Sequence, residues 1–580
     1  MADLSPLEIA AAPGLGAPQT VVNSPPALLM PLPDQFASIT ETLRFAMPLT
    51  AFGDADGSET LQYSLSISNG SALPGWMRFI AGSLGVVGAP TTADVGVYKL
   101  RLTATDTQGA AVSGDFLLTI TSGAADVPGT GTDAGGAPMP PAGPVVMSGG
   151  SGDDVLNGGA GKEILDGGKG ADVLNGGAGE DVLQMSVDAL WPSGSRLTRP
   201  GSSCPLHAST LDISGMNRSL DIFNGGDGYD TLLGSSGNDV LRLDDASIPA
   251  GRNEPRIRSI EAINMGEGND VVDLSSTRFV YGKVSIDGGD GNDVIWSGAG
   301  DDRIAGGAGN DELDGGAGND WLSGGAGDDL IGGSGAGNDI HQGGDGNDSI
   351  SDRLGNNVLD GGAGNDRLQH GNGNGFLAGG RGNDTLLTGA GREVIAYNRG
   401  DGNDLLTGSG QTRANDVLSL GGGLAAKDLS LARSGNDLLV RFGPGANDGS
   451  LLLDDWYRGN RTVQTLQVIA PPAAGATTAP RTELYDFVGL VAAFDRRGGR
   501  SSGNASGAAW AAAGSINDYR LQADAALAYG GELAAVYASQ GNLTGVGLDA
   551  GLALLAGRDF GQRASSTTGT PLADGTARLT

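Results

Sequence analysis

Hydrophobic positions between 288 and 396 recur every nine residues, set among glycines and polar residues. They are Ile295, Ile304, Leu313, Leu322, Ile331, His341, Ile350, Leu359, Leu368, Leu377, Leu386 and Ile395, and eleven of these twelve are Ile or Leu. A nine-residue period matches neither an amphipathic helix nor a long alternating strand. It predicts one turn and one very short strand per unit, with each aliphatic side chain adding a layer to a continuous interior. Every unit has nine residues except the sixth, GSGAGNDIHQ, which has ten. With two units per coil and coils stacked at the strand spacing of about 4.8 Å, six coils make a roll about 29 Å long. His341 is the one non-aliphatic inward position and falls in the unit with the extra residue. It is expected as a neutral, hydrogen-bonded core residue at a local distortion rather than a metal ligand.

The same unit appears in a block of four over 149–184, beginning GGSGDDVLN, and again as GGDGYDTLL and GSSGNDVLR from Gly225 and GEGNDVVDL from Gly266. Residues 185–287 otherwise read as an irregular β-helix with an insertion holding Trp191, Cys204 and His207. Two ligands do not make a zinc site, so Cys204 and His207 carry no metal assignment. Over 21–122 the pattern changes to short alternating stretches such as YSLSIS and YKLRLTATD between turn residues, which predicts a β-sandwich with Trp76 as a core anchor. Residues 123–148 and 470–482 are Pro/Gly/Ala-rich linkers. Residues 397–469 read as a β-rich cap, with Trp456 and Tyr457 suited to cover the end of the roll. In the 483–580 tail, Leu484, Phe487, Val488, Val491 and Phe494 have helical spacing. The fold class is therefore all-β: an N-terminal β-sandwich, a parallel β-roll, a β-rich cap and a small, partly helical tail.

Composition narrows the function. The chain has 104 glycines in 580 residues, 35 Lys and Arg against 68 Asp and Glu, and one cysteine. A formal charge of −33 repels nucleic acid and anionic membrane surfaces, so neither is expected as a partner. One cysteine excludes a disulfide framework. No apolar run is long enough for a transmembrane segment. The opening MADLSPLEIAAAPGLGAP has neither a basic start nor an apolar core, so export without an N-terminal signal peptide is the expectation.

The GGxGxD units resemble the RTX (repeats-in-toxin, haemolysin-type) family. That resemblance implies multiple Ca²⁺ ions, each held between turns one coil apart. Hard cations of this kind take carboxylate and carbonyl oxygens. Between 288 and 396 there are 18 acidic and five basic residues, so stacked aspartates without a cation would repel one another. On one edge the sixth positions are Asp293, Asp311, Asp329, Asp348, Asp366 and Asp384. On the other they are Asp302, Asp320 and Asp339, followed by Asn357, Gly375 and Glu393. The expectation is five sites on the intact edge and about two on the decaying one. The matching residues elsewhere are Asp154, Asp172 and Asp181, with Glu163 as a departure, and Asp230, Asp239, Asp270 and Asp404.

The stretches PLPDQFA, AFGDADGSETLQYSLSISNGSALPGWMRF and TTADVGVYKLRLTATDTQGAAVSGDFLLTI resemble a dystroglycan-type cadherin-like domain, also described as a putative Ig domain. In that resemblance Asp54, Asp56 and Asp106 match calcium ligands; as residues alone they read as turn formers. The tail is similar to the C-terminal signals of type I secretion substrates, which makes the type I secretion machinery an expected partner. Scarce cysteine and calcium-dependent repeats fit a chain folded outside the cell.

No catalytic constellation stands out. H-E-x-x-H is absent, and Gly499–Gly503 spells G-x-S-x-G in a polar glycine run rather than at a strand-to-helix elbow. Arg399, Gly400 and Asp401 belong to a repeat turn rather than to an integrin ligand. The expectation is a non-enzymatic, secreted or cell-surface calcium-binding protein with an adhesive or matrix role, its N-terminal domain meeting a cell-surface or matrix ligand. A toxin-like effector and a secreted hydrolase with an unrecognised module stay open.

Overall fold

The computed structural model describes segments of 26–121, then 145–198, 210–243, 254–408 apart from 277 and 334, 415–443, 448–470, 481–496, 510–511, 516–525 and 529–543. The chain divides into two compact units, Met1–Ser122 and Gly123–Thr580.

The first unit is a sandwich. A four-stranded sheet runs in the order Gln35–Ser38, Ala111–Thr121, Gly96–Thr105 and Gln62–Ile67. A three-stranded sheet is formed by Leu43–Ala46, Gly85–Gly88 and Met77–Ile80. Their alternating residues bury Leu100, Leu102, Phe116, Leu118 and Ile120 with Val86 and Leu43. Trp76 is only half-buried and packs at the margin of this core, edge-on to Tyr98 at 5.6 Å.

In the second unit the nine-residue period becomes a two-faced parallel roll. Ile304 pairs with Leu322 on one face and Leu313 with Ile331 on the other, an offset of eighteen residues, so two units close one coil. The ten-residue unit lengthens one coil by a residue on both faces, where Leu322 pairs with His341 and Ile331 with Ile350. Register is kept, and the inward positions continue as one largely aliphatic core from Leu165 to Leu418, with Phe223 among them and His341 standing between Leu322 and Leu359. Glycine makes the coils close enough to bond. Gly307, with φ of +115°, faces the Gly289 carbonyl so tightly that any Cβ there would collide with it.

The roll continues through 185–287. Val182–Gln184, Thr231–Leu233, Ala262–Asn264 and Ser285–Asp290 follow one another in the sixteen-stranded sheet. The intervening insertion forms the hairpins Ala189–Leu190 with Asn217–Arg218 and Arg196–Thr198 with Thr210–Asp212. At the other end Leu429–Ser434, Asp437–Phe442 and Ser450–Leu453 cap the second face as an antiparallel sheet, with Trp456 buried edge-on against Phe487 at 5.6 Å.

The tail adds to this body. Arg481–Asp486 is a strand, so Leu484 is not helical as its spacing suggested. Helix α1, Phe487–Phe494, begins only where the Asp486 side chain accepts from the Gly489 N–H at 2.9 Å and so caps it. Helix α2, Gly531–Gln540, lays Leu533, Ala534 and Tyr537 over an apolar strip on the outside of the roll: Trp321, Ile340, Val358, Phe376, Val394 and Val417. No described helix is long and apolar enough to cross a membrane.

Candidate metal centre

Each unit turns through its glycines and enters its strand immediately after the sixth residue, which places every sixth-position carboxylate under the turn of the neighbouring coil. On the intact edge this builds a continuous ladder. The backbone N–H of Asp239 donates to Asp270 Oδ1, and the pattern repeats from Asp270 to Asp293, Asp311, Asp329, Asp348, Asp366, Asp384 and Asp404, at 2.7 to 3.0 Å. From Asp270 to Asp384 these residues are no more than 2% exposed.

Only one oxygen of each carboxylate is used. Oδ2 of Asp270, Asp293, Asp311, Asp329, Asp348, Asp366 and Asp384 is buried with no hydrogen-bond partner among the described residues. A buried acceptor without a donor is strongly unfavourable unless something positive meets it. The surroundings match a hard cation. A Cβ built on Gly288 would collide with Asp293 Oδ2 and the Gly306 carbonyl oxygen. The same pair, own carboxylate and next-coil carbonyl, recurs at Gly306, Gly324, Gly343 and Gly361. Convergent carboxylate and carbonyl oxygens in a cradle lacking a side chain form a donor set that fits Ca²⁺.

The electrostatics agree. Burial, then neighbouring carboxylates, pushes the carboxyls up despite the N–H each accepts: Asp293, Asp311 and Asp329 to about 7, Asp366 and Asp404 to about 8, and Asp270 to about 9. Burial alone takes Asp384 to about 6 against its N–H bond. Without a cation these groups resist ionisation; with one, ionisation is what binds it.

The second edge starts alike and then changes. The N–H groups of Asp302, Asp320 and Asp339 donate to Asp320, Asp339 and Asn357 at 2.8 to 2.9 Å. Beyond that point the N–H of Asn357 and of Gly375 turns to a backbone carbonyl one coil on, of Asn374 and Arg392. His370, standing where the repeat has its first glycine, fills its turn with imidazole, and its Nδ1 lies 3.1 Å from Glu393 Oε1. In the first block the Asp154 N–H donates to Asp172 and the Glu163 N–H to Asp181, and the Asp181 N–H reaches Asp230. Asp239 differs from the rest: its oxygens already accept from the Ser235 N–H, the Ser235 hydroxyl and Asn217 Nδ2. Asp54, Asp56 and Asp106 lie outside the described residues, as do Cys204, His207 and Gly499–Gly503. Asp401 is buried and accepts from Tyr537 Oη at 3.0 Å, whereas Arg399 and Gly400 of the same turn are exposed.

Sequence reasoning missed two sets of residues. Asp221, Glu261 and Asp416 take the sixth-position role without the glycine motif, accepting from the N–H groups of Asp172, Asp230 and Glu393. The shared signal is an acid two residues before an inward apolar position. The fifth position also forms ladders, running the opposite way: Asn310 N–H donates to Asn292 Oδ1, Asp328 to Asn310, Asn347 to Asp328 and Asn365 to Asn347. The recurrence of Asn or Asp before the sixth position was the available sign.

A family model described as Putative Ig domain matches residues 21–121. One described as RTX calcium-binding nonapeptide repeat matches 148–183, 220–245, 285–313, 297–331, 305–340, 333–368 and 371–402. No curated protein matches the chain. These matches fall on the sandwich and on the laddered turns respectively: the chain carries a Putative Ig domain followed by RTX calcium-binding nonapeptide repeats, and it is a calcium-binding, RTX-type protein.

Proposed function

We propose that this is an exported, non-enzymatic protein whose roll folds on extracellular calcium, displaying the Ig-type domain for adhesion at a cell surface or in a matrix. The observation that supports it most is the ladder of buried carboxylates with donorless Oδ2 atoms from Asp270 to Asp384. At neutral pH such a ladder needs cations, and extracellular modules meet calcium at ~10⁻⁴–10⁻³ M whereas the cytosol does not supply it. The sites assigned are five between consecutive aspartates from Asp293 to Asp384, and two between Asp302, Asp320 and Asp339. Anomalous scattering from crystals grown in calcium tests that count; equal occupancy of both edges over their full length would overturn it.

Export through type I secretion machinery, guided by the 483–580 tail, is part of the same reading. The experiment follows the chain in its producing cells. Intact protein in the medium or released by a chelator wash, and retained inside when 483–580 is deleted, is the expected result. Folded protein accumulating in the cytosol with either version would refute it. Turnover of any member of a hydrolase substrate panel by the purified protein would refute the non-enzymatic part.

A further inference from the structure

We infer that the roll holds one further metal site of a different kind: a buried nitrogen-and-oxygen site for a divalent transition metal of the zinc type, formed by Asp339, His341 and Asp352. One ligating atom from each lies within 4.8 Å of the other two. The side chains are buried, with Asp339 3% exposed and His341 and Asp352 fully enclosed.

Two departures from the repeat create the cluster. His341 stands where the residues paired with it on either side, Leu322 and Leu359, are aliphatic, so an imidazole projects into the stack. Asp352 stands where the repeat has its first glycine. Where that position is glycine, as at Gly324 and Gly343, no side chain stands before the carboxylate; here a second carboxylate enters. Asp339 Oδ2 and Asp352 Oδ2 converge on the same spot, 3.5 and 3.4 Å from where a Cβ on Gly333 would sit.

The spacing and chemistry favour a metal over a simple ion pair. His341 Nε2 is 3.8 Å from Asp352 Oδ2, beyond hydrogen bonding. Two ligands at ~2.1 Å from one tetrahedral ion stand about 3.4 Å apart, so a small contraction closes the set. The other buried histidine, His370, has its Nδ1 3.1 Å from Glu393 Oε1 and belongs to a separate pair. Two carboxylates neutralise a divalent cation, and imidazole suits zinc-like metals whereas calcium prefers oxygen throughout. This departs from the metal-free core histidine expected from sequence, and the side chain of Asp352 is the reason.

The test uses full-length protein, stripped with chelator, refolded in saturating calcium and titrated with Co²⁺ as a spectroscopic probe. One Co²⁺ per chain, with tetrahedral ligand-field absorption that persists in millimolar calcium, is expected. His341→Leu restores the aliphatic stack and Asp352→Gly restores the repeat. Each should abolish the absorption while the calcium-dependent β signal stays intact, and His370→Leu should leave it unchanged. Absence of bound Co²⁺, or absorption that survives in the folded His341→Leu or Asp352→Gly protein, would overturn the inference and leave the calcium reading untouched.

Discussion

Removing calcium should make the stability of the roll fall as pH rises. The perturbation is chelation, and its size follows from the ladder. Asp293, Asp311 and Asp329 are pushed to about 7 by burial and by facing carboxylates. An unfolded aspartate titrates near ~3.9, so ionising one of these inside the metal-free fold is disfavoured by about three pH units, or roughly 4 kcal/mol. Whole domains are stable by only ~5–15 kcal/mol, so three or four such ionisations exceed what the fold can bear. A folded-state value raised above the unfolded one contributes stability that is fully present below about pH 4. It is lost as pH rises through about 6 to 8. In chelator the roll should therefore melt at progressively lower temperature across that window. In millimolar calcium the bound carboxylates and those of the unfolded chain are both ionised over the same range, so the melting temperature should be nearly flat there. Thermal melts of the full chain by circular dichroism, from pH 4.5 to 8.5 in chelator and in calcium, measure both slopes. A melting temperature in chelator that is flat or rising between pH 6 and 8 would refute the reasoning.

Three substitutions separate the parts of the structure. Asp329→Asn keeps an acceptor for the Asp311 N–H, as Asn357 does for Asp339, and loses a charged ligand. Calorimetry should find at least one fewer calcium ion per chain and a several-fold higher calcium midpoint for folding. Asn347→Ala removes the acceptor for the Asn365 N–H in the exposed fifth-position ladder. It should destabilise by about 1 kcal/mol, read from melts in calcium, without moving the calcium midpoint. Tyr537→Phe deletes the bond to buried Asp401 and should loosen helix α2 by about 1–3 kcal/mol, seen as faster proteolytic loss of the C-terminal segment.

The roll was legible because its information is local and repeated. Nine residues specify a turn, an inward side chain and a sixth-position carboxylate. The eighteen-residue pairing and the intact and decaying edges follow from counting, even across the ten-residue unit. What sequence did not disclose depends on contacts distant in the chain. The apolar strip from Trp321 to Val417 is outward-facing, and only the docking of Leu533 and Tyr537 from the tail explains it. Leu484 fitted a helical period, yet pairing with Gln467 in the adjoining strand claims it for the sheet. Asp221, Glu261 and Asp416 joined the ladders without the glycine motif, because backbone register rather than motif sets that position. The Asp339, His341 and Asp352 cluster was hidden because its members are thirteen residues apart at most in sequence yet come from opposite faces of the roll.

The central claim is that cations complete the buried ladders. Titrating the full chain with calcium, followed by far-UV circular dichroism with magnesium as control, tests it most directly. A cooperative gain of β signal between micromolar and millimolar calcium, absent with magnesium, is the result this account predicts. A full β signal in chelator at neutral pH, unchanged on adding calcium, would contradict it: the aliphatic stack alone would then hold the roll.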